Sequence, residues 1–130
     1  MTAKKSLLAL LLMTMSFALV ACGKGPAATL EDAMYAIAEG DQDTAIEIMP
    51  PRLSAAFGHE QLKQMLIEAK SGLDEQGGID DIEVLEENVN DQKAEVKMKI
   101  TYGNGTSDTE TTKMIKIDDK WMMSDEGMNK

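Results

Sequence analysis

The chain has 130 residues, a formal net charge of −10 and one cysteine. At that length one domain is expected, with a core that needs no staples. A lone Cys22 excludes an intrachain disulfide framework, and 23 acidic against 13 basic residues argue against nucleic acid or an anionic lipid surface as partner, since both need clustered Lys and Arg. No metal-ligand spacing or cofactor motif stands out, so neither metal nor cofactor is expected.

The first segment reads as an address. Lys4 and Lys5 form a positive n-region, and Leu7 to Val20 is an almost unbroken apolar run. Spanning a bilayer takes about 20 apolar residues, so this run is too short to cross and fits the core of a secretory signal. Ordinary cleavage wants small residues one and three places before the cut; Ala21 fits and Leu19 does not. Leu19-Val20-Ala21-Cys22 instead resembles the bacterial lipobox. That resemblance implies lipidation of the Cys22 thiol, cleavage before it and a mature domain held to a membrane. Loss of Lys4 and Lys5 with the leader moves the charge from −10 to −12. Gly23, with no Asp in that place, implies export to the outer membrane, facing the periplasm. The expected layout is a signal peptide over 1–21, lipidated Cys22 and a short tether over 22–28, and one domain over 29–130.

Thr29-Leu30-Glu31-Asp32 has the form of a capping box. Leu30, Ala33, Met34, Ile37 and Ala38 then recur at helical spacing, and Gly40 ends that helix. Asp41 caps a second short helix through Ala45, Ile46 and Met49, which Pro50-Pro51 stops; Arg52 to Phe57 adds a turn. After Gly58 a third helix is predicted from His59 to Ser71, burying Leu62, Met65, Leu66 and Ala69. His59 stands near its start with no partner identifiable from sequence, so it reads as a partly exposed surface residue.

From Ile79 the apolar period changes from 3.6 to 2. Ile82 and Val84 alternate in a first strand, with Glu86 next on the same face. Ala94, Val96, Met98, Ile100 and Tyr102 alternate cleanly in a second. Gly103-Asn104-Gly105-Thr106 predicts a two-residue type I′ hairpin. That register sets Gly103 opposite Thr106, Val96 opposite Lys113 and Ala94 opposite Ile115, and pairs Lys99 with Glu110. Ile115 and Ile117 then share the apolar face with Trp121 and Met123 of a last strand, and Lys113 is a charge on that face, snorkelling at a rim or touching a ligand. The expected fold class is α+β: N-terminal helices on a curved four-stranded antiparallel meander.

The pattern Ala38-Glu39-Gly40-Asp41, then Ala45-Ile46 and Met49, a third helix, and a meander closing on Asp118-Asp119-Lys120-Trp121 resembles the nuclear-transport-factor-two-like superfamily, and within it small bacterial lipoproteins of unknown function. The likeness spans residues 29–124; Asp119 departs from it, standing where those relatives usually carry Gly in the turn. The resemblance implies a cone whose cavity, in ketosteroid isomerases and dehydratases, holds a converging acid and base. Here the inward positions are almost all aliphatic or Met, and Tyr102, Glu86 and Lys113 are the polar candidates that alternation assembles. Tyr35 falls at the edge of its helix's apolar stripe. The expected function is therefore a non-catalytic, membrane-tethered binding module of the bacterial envelope. Its partners would be the membrane, through the lipid on Cys22, and an envelope protein or small ligand. A carrier or sensor of a small apolar ligand is the alternative, an isomerase-like enzyme a more distant one, and homodimerisation through the open sheet face is left undecided by the sequence.

Overall fold

The computed structural model describes residues 24–127; the leader, Leu19-Val20-Ala21-Cys22 and Gly23 lie outside the described residues. Helix α1 (Pro26–Glu39) starts three residues before the predicted capping box, with Gly25 as N-cap and Pro26 in the first turn. Proline suits that place because its φ is preset and its missing N–H would have had no helical partner. Thr29 serves inside the first turn instead, its hydroxyl donating to the Gly25 carbonyl at 2.9 Å. Pro26 and Ala27 are buried, so they belong to the domain. The helix therefore begins within the stretch 22–28 expected as a tether.

α1 is buried on two sides. Leu30 and Ala33 face the sheet within the main core, while Ala36 packs with Ala45 and Leu66 in a second cluster. That second cluster is where α2 (Gln42–Ile46) and α3 (Pro51–Glu75) close over the outside of α1. Asp41 caps α2 as expected, accepting from the Thr44 amide at 3.3 Å and from its hydroxyl at 2.6 Å. α3 is kinked at Gly58 (φ 73°, ψ 168°), which separates the short Pro51 turn from the long arm. Because α3 packs on α1 and α2, its buried stripe narrows to Leu62 and Leu66; Met65 and Ala69, expected inside, are exposed.

The strands β1 (Ile79–Asn90), β2 (Lys93–Tyr102), β3 (Ser107–Ile117) and β4 (Lys120–Met123) form an antiparallel meander in sequence order, followed by a single 3₁₀ turn at Asp125–Gly127. Helices on one side of a four-stranded sheet make the α+β architecture that the change of period predicted. Every buried hydrophobic residue among the described ones lies between Ala27 and Trp121, so the described residues form a core of their own.

Two registers differ from the sequence reading. Tyr102 donates its amide to the Thr106 carbonyl at 2.9 Å, and the Gly105 amide donates back to the Tyr102 carbonyl at 3.0 Å. The β2–β3 loop is thus Gly103-Asn104-Gly105, with Gly105 left-handed at φ 87°, a turn followed by a one-residue bulge. Met98 faces Glu110, Val96 faces Thr112 and Ala94 faces Met114. Ile115, Ile117 and Lys113 consequently move to the outer face, and Met114 takes the buried place beside Met123. Tertiary contact explains the choice: the amides of Gly103 and Asn104 donate to the carbonyls of Gly78 and Gln76, both at 2.9 Å, docking the turn onto the α3–β1 loop. The second shift is in β1, where Val84 pairs with Met98 but Glu86 pairs with Lys97. Leu85 is a bulge, and it turns Glu86 outward and Glu87 inward. The two-residue left-handed turn does occur, at Asp118-Asp119 (φ 50° and 62°) between β3 and β4.

Candidate functional site

The layer of helices does not cover the inner face of the sheet completely. Between α1, the segment after α2 and strands β2–β3 lies a cavity of ≈ 170 Å³. Leu30, Met34 and Ile37 of α1, Ile48 and Met49 beyond α2, and Met98 and Ile100 of β2 give it apolar walls, and Met123 contributes from β4. Glu110 and Thr112 of β3 are its polar lining. The alternation of β3 brings both there only because of the three-residue loop; one residue fewer would place Thr109 and Thr111 inward.

Tyr102 stands beside this cavity on the inner face. Its hydroxyl donates to Asp108 Oδ2 at 3.0 Å. Burial raises its pKa above the ordinary value, and the Asp108 hydrogen bond and the charges of Asp108 and Glu110 push the same way. Tyr35, at the edge of the core, is also raised, first by burial and then by the charges of Glu31 and Asp81, against a hydrogen bond from the Ile82 backbone.

The three polar candidates from the sequence do not converge. Tyr102 is inside, whereas Glu86 lies on the outer face opposite Lys97 and Lys113 on the outer face opposite Glu95. The Leu85 bulge misplaces the first and the hairpin register the second. Asp108, Glu110 and Thr112, which line the inner face in their stead, were missed; the signal that would have found them is the loop length after Tyr102.

Glu87, inward in place of Glu86, accepts from the Ala27 amide at 3.0 Å. The carboxylate thereby supplies the cap that Gly25 has no side chain to give, at the positive end of α1. His59 has a partner after all: its Nε2 lies 3.3 Å from Asp43 Oδ1, which Lys63 also approaches at 3.5 Å, all on the surface. Among the described residues no group of three or more His, Cys, Asp or Glu side chains could hold a metal ion, and no helix is long and apolar enough to cross a membrane.

A family model described as a domain of unknown function, DUF4878, matches residues 20–124. The chain belongs to the DUF4878 family. Its fold is NTF2-like: a Campylobacter jejuni protein described as a candidate NTF2-like transpeptidase superposes with a TM-score of 0.63 at 19% identity, over 78% of this chain and 98% of that one. A SEC-C motif containing protein from Rhodopseudomonas palustris superposes with a TM-score of 0.55 at 18% identity, over 77% of this chain and 75% of its own. No match was found among curated proteins. At these identities the structural likenesses of the DUF4878 chain carry the fold and not an activity.

Proposed function

We propose that this DUF4878 chain is a lipid-anchored module of the bacterial envelope that works by binding, held to the membrane through Cys22 and offering the cone cavity as its binding site. The observation that carries the binding reading is the make-up of the cavity: apolar walls with one carboxylate and one hydroxyl, and no acid facing a base across it. Tyr102 is already tied to Asp108, and Glu86 and Lys113 point away. Acyl transfer, which the name of one structural neighbour suggests for that protein, needs a nucleophile within reach of a base; His59, the sole histidine, stands on the surface against Asp43. The lipobox at Leu19 to Cys22 supports the anchor, and Gly23 supports the outer membrane as its address.

Metabolic labelling with a palmitate probe tests the anchor. Wild-type protein takes the label and fractionates with outer membranes, and Cys22→Ala loses the label and appears in the soluble fraction. A Cys22→Ala protein that stays labelled sinks the proposal.

A second reading is favoured by α3, where Phe57, Met65 and Ile67 are 41%, 42% and 44% exposed. Large apolar side chains on one exposed helix suit an envelope protein partner. Photo-crosslinking from position 65 and from position 110 separates the two: specific adducts at 65 alone favour the helix surface over the cavity.

A further inference from the structure

The cavity has a direction. Leu30, Ala33, Met98 and Ile100 at its inner end are buried, while Glu110 at the mouth is exposed and Thr112 half-buried. No lysine or arginine lines it, and Asp108, outside the lining, stands two residues before Glu110 on the same face of β3, about 7 Å off. An anion at this mouth would meet the Glu110 carboxylate, with Asp108 beyond it, and no cation in the lining. A neutral polar group would gain little.

We propose that the cavity takes a small amphiphile of the alkylammonium type, with an apolar tail of about six carbons inside and its cationic end held at the mouth by Glu110. This rests on the cavity being the binding site, as proposed above. The size follows from volume: an engineered apolar cavity of about 150 Å³ holds benzene, and this one is ≈ 170 Å³. It lies below the ~300 Å³ at which drug-sized pockets begin, so one short tail or ring fits and a long acyl chain does not. Met34, Met49, Met98 and Met123 in the walls adapt to different tails, because the unbranched thioether side chain has several rotatable bonds. The order of burial excludes a lysine or arginine side chain from a protein partner as the occupant. Such a side chain enters charged tip first and would bring its cation to the buried apolar end, away from Glu110.

Glu110 is exposed, so its selection for charge is screened and modest. An exposed ion pair supports roughly 3- to 5-fold in affinity at low salt, and less as salt rises.

The experiment is a titration of the chain from Gly23 onward, carrying labelled methionine methyl groups, with n-hexylammonium, 1-hexanol and n-hexanoate at low ionic strength, read by NMR. The expected result is that the methyls of Met34, Met49, Met98 and Met123 shift with hexylammonium at about 3- to 5-fold lower concentration than with hexanol, and that hexanoate binds weakest. Glu110→Gln, a change at an exposed position, removes the difference between hexylammonium and hexanol. Equal binding of the amine and the alcohol in the wild type, or tighter binding of hexanoate, overturns the charge assignment while leaving the cavity as the site. No shift of these methyls with any of the three probes overturns the cavity reading itself.

Discussion

Strands β2 and β3 are hydrogen-bonded neighbours, yet their inner faces live in different media. On β2, Ala94, Val96, Met98, Ile100 and Tyr102 are all 6% exposed or less. Directly opposite them on β3, Asp108 and Glu110 are exposed, Thr112 is half-buried, and only Met114 is fully inside. The difference is one of coverage. α1 packs on β1, β2 and β4, and the Ile48 carbonyl after α2 clamps the β4 end by accepting the Met123 amide at 2.7 Å. The middle of β3 is left between these two attachments. Pairing supplies hydrogen bonds to both strands equally, but dryness comes from the second layer, so a binding site arises where that layer stops.

Breaking the dry side should cost most. Ile100→Ala, at a position 2% exposed, is expected to lose about 3 kcal/mol in urea denaturation, whereas Thr112→Ala across the cavity should stay within about 0.5 kcal/mol. Similar losses for both would mean that β3 is as buried as β2.

The docked hairpin that sets the β3 parity comes next. A Cβ on Gly103 would fall 2.2 Å from the Gly77 carbonyl oxygen, backbone against backbone, with Gly77 itself left-handed at φ 90°. Gly103→Ala should therefore cost roughly 2 kcal/mol by forcing the turn off the α3–β1 loop. It should also broaden NMR signals at Glu110 and Thr112 as the register loosens. Wild-type stability in this variant would show that the loop contact does not hold the register.

Smaller again is the β1 bulge. Glu87→Gln removes a charge-assisted bond to the Ala27 amide and the favourable charge at the start of α1, for about 1 kcal/mol or less given its exposure. Glu86→Gln, on the outer face, should be silent. The reverse ranking would restore the unbulged register.

The smallest effect is at high pH. Tyr102 has a folded pKa above its ordinary value near 10, so the neutral phenol is the form the fold favours. That contribution is fully present below pH 10 and is lost as pH rises through the raised folded value. Tyr102→Phe should flatten this part of the alkaline limb, and absorbance at 295 nm should show both tyrosines ionising later than free tyrosine. A Tyr102 that titrates at its ordinary value would mean that the inner face is wet there too.

Much of the fold was legible in local pattern. The 3.6 period of Leu30, Ala33 and Ile37, the Asp41 cap and the strict alternation from Ala94 to Tyr102 each state a local preference that the structure keeps, whereas α2 ends at Ile46, ahead of Pro50-Pro51, and Pro51 opens α3 rather than stopping a helix. The candidate site was not legible in the same way. Tyr102 was found because it continues the alternation of its own strand, but Glu110 and Thr112 were not, because their facing depends on the length of the loop after Tyr102.

By itself the sequence determined the element types, their order and the meander, because these follow from propensity and period within single segments. Only the tertiary structure decided which side of β3 and of the end of β1 faces in. Side chains alternate with a period of two, so one extra residue at Leu85 or in the Gly103-Asn104-Gly105 loop reverses every facing beyond it. What selects that residue is contact with distant chain: Gln76 and Gly78 against the hairpin, and the start of α1 against Glu87. No local window contains both partners.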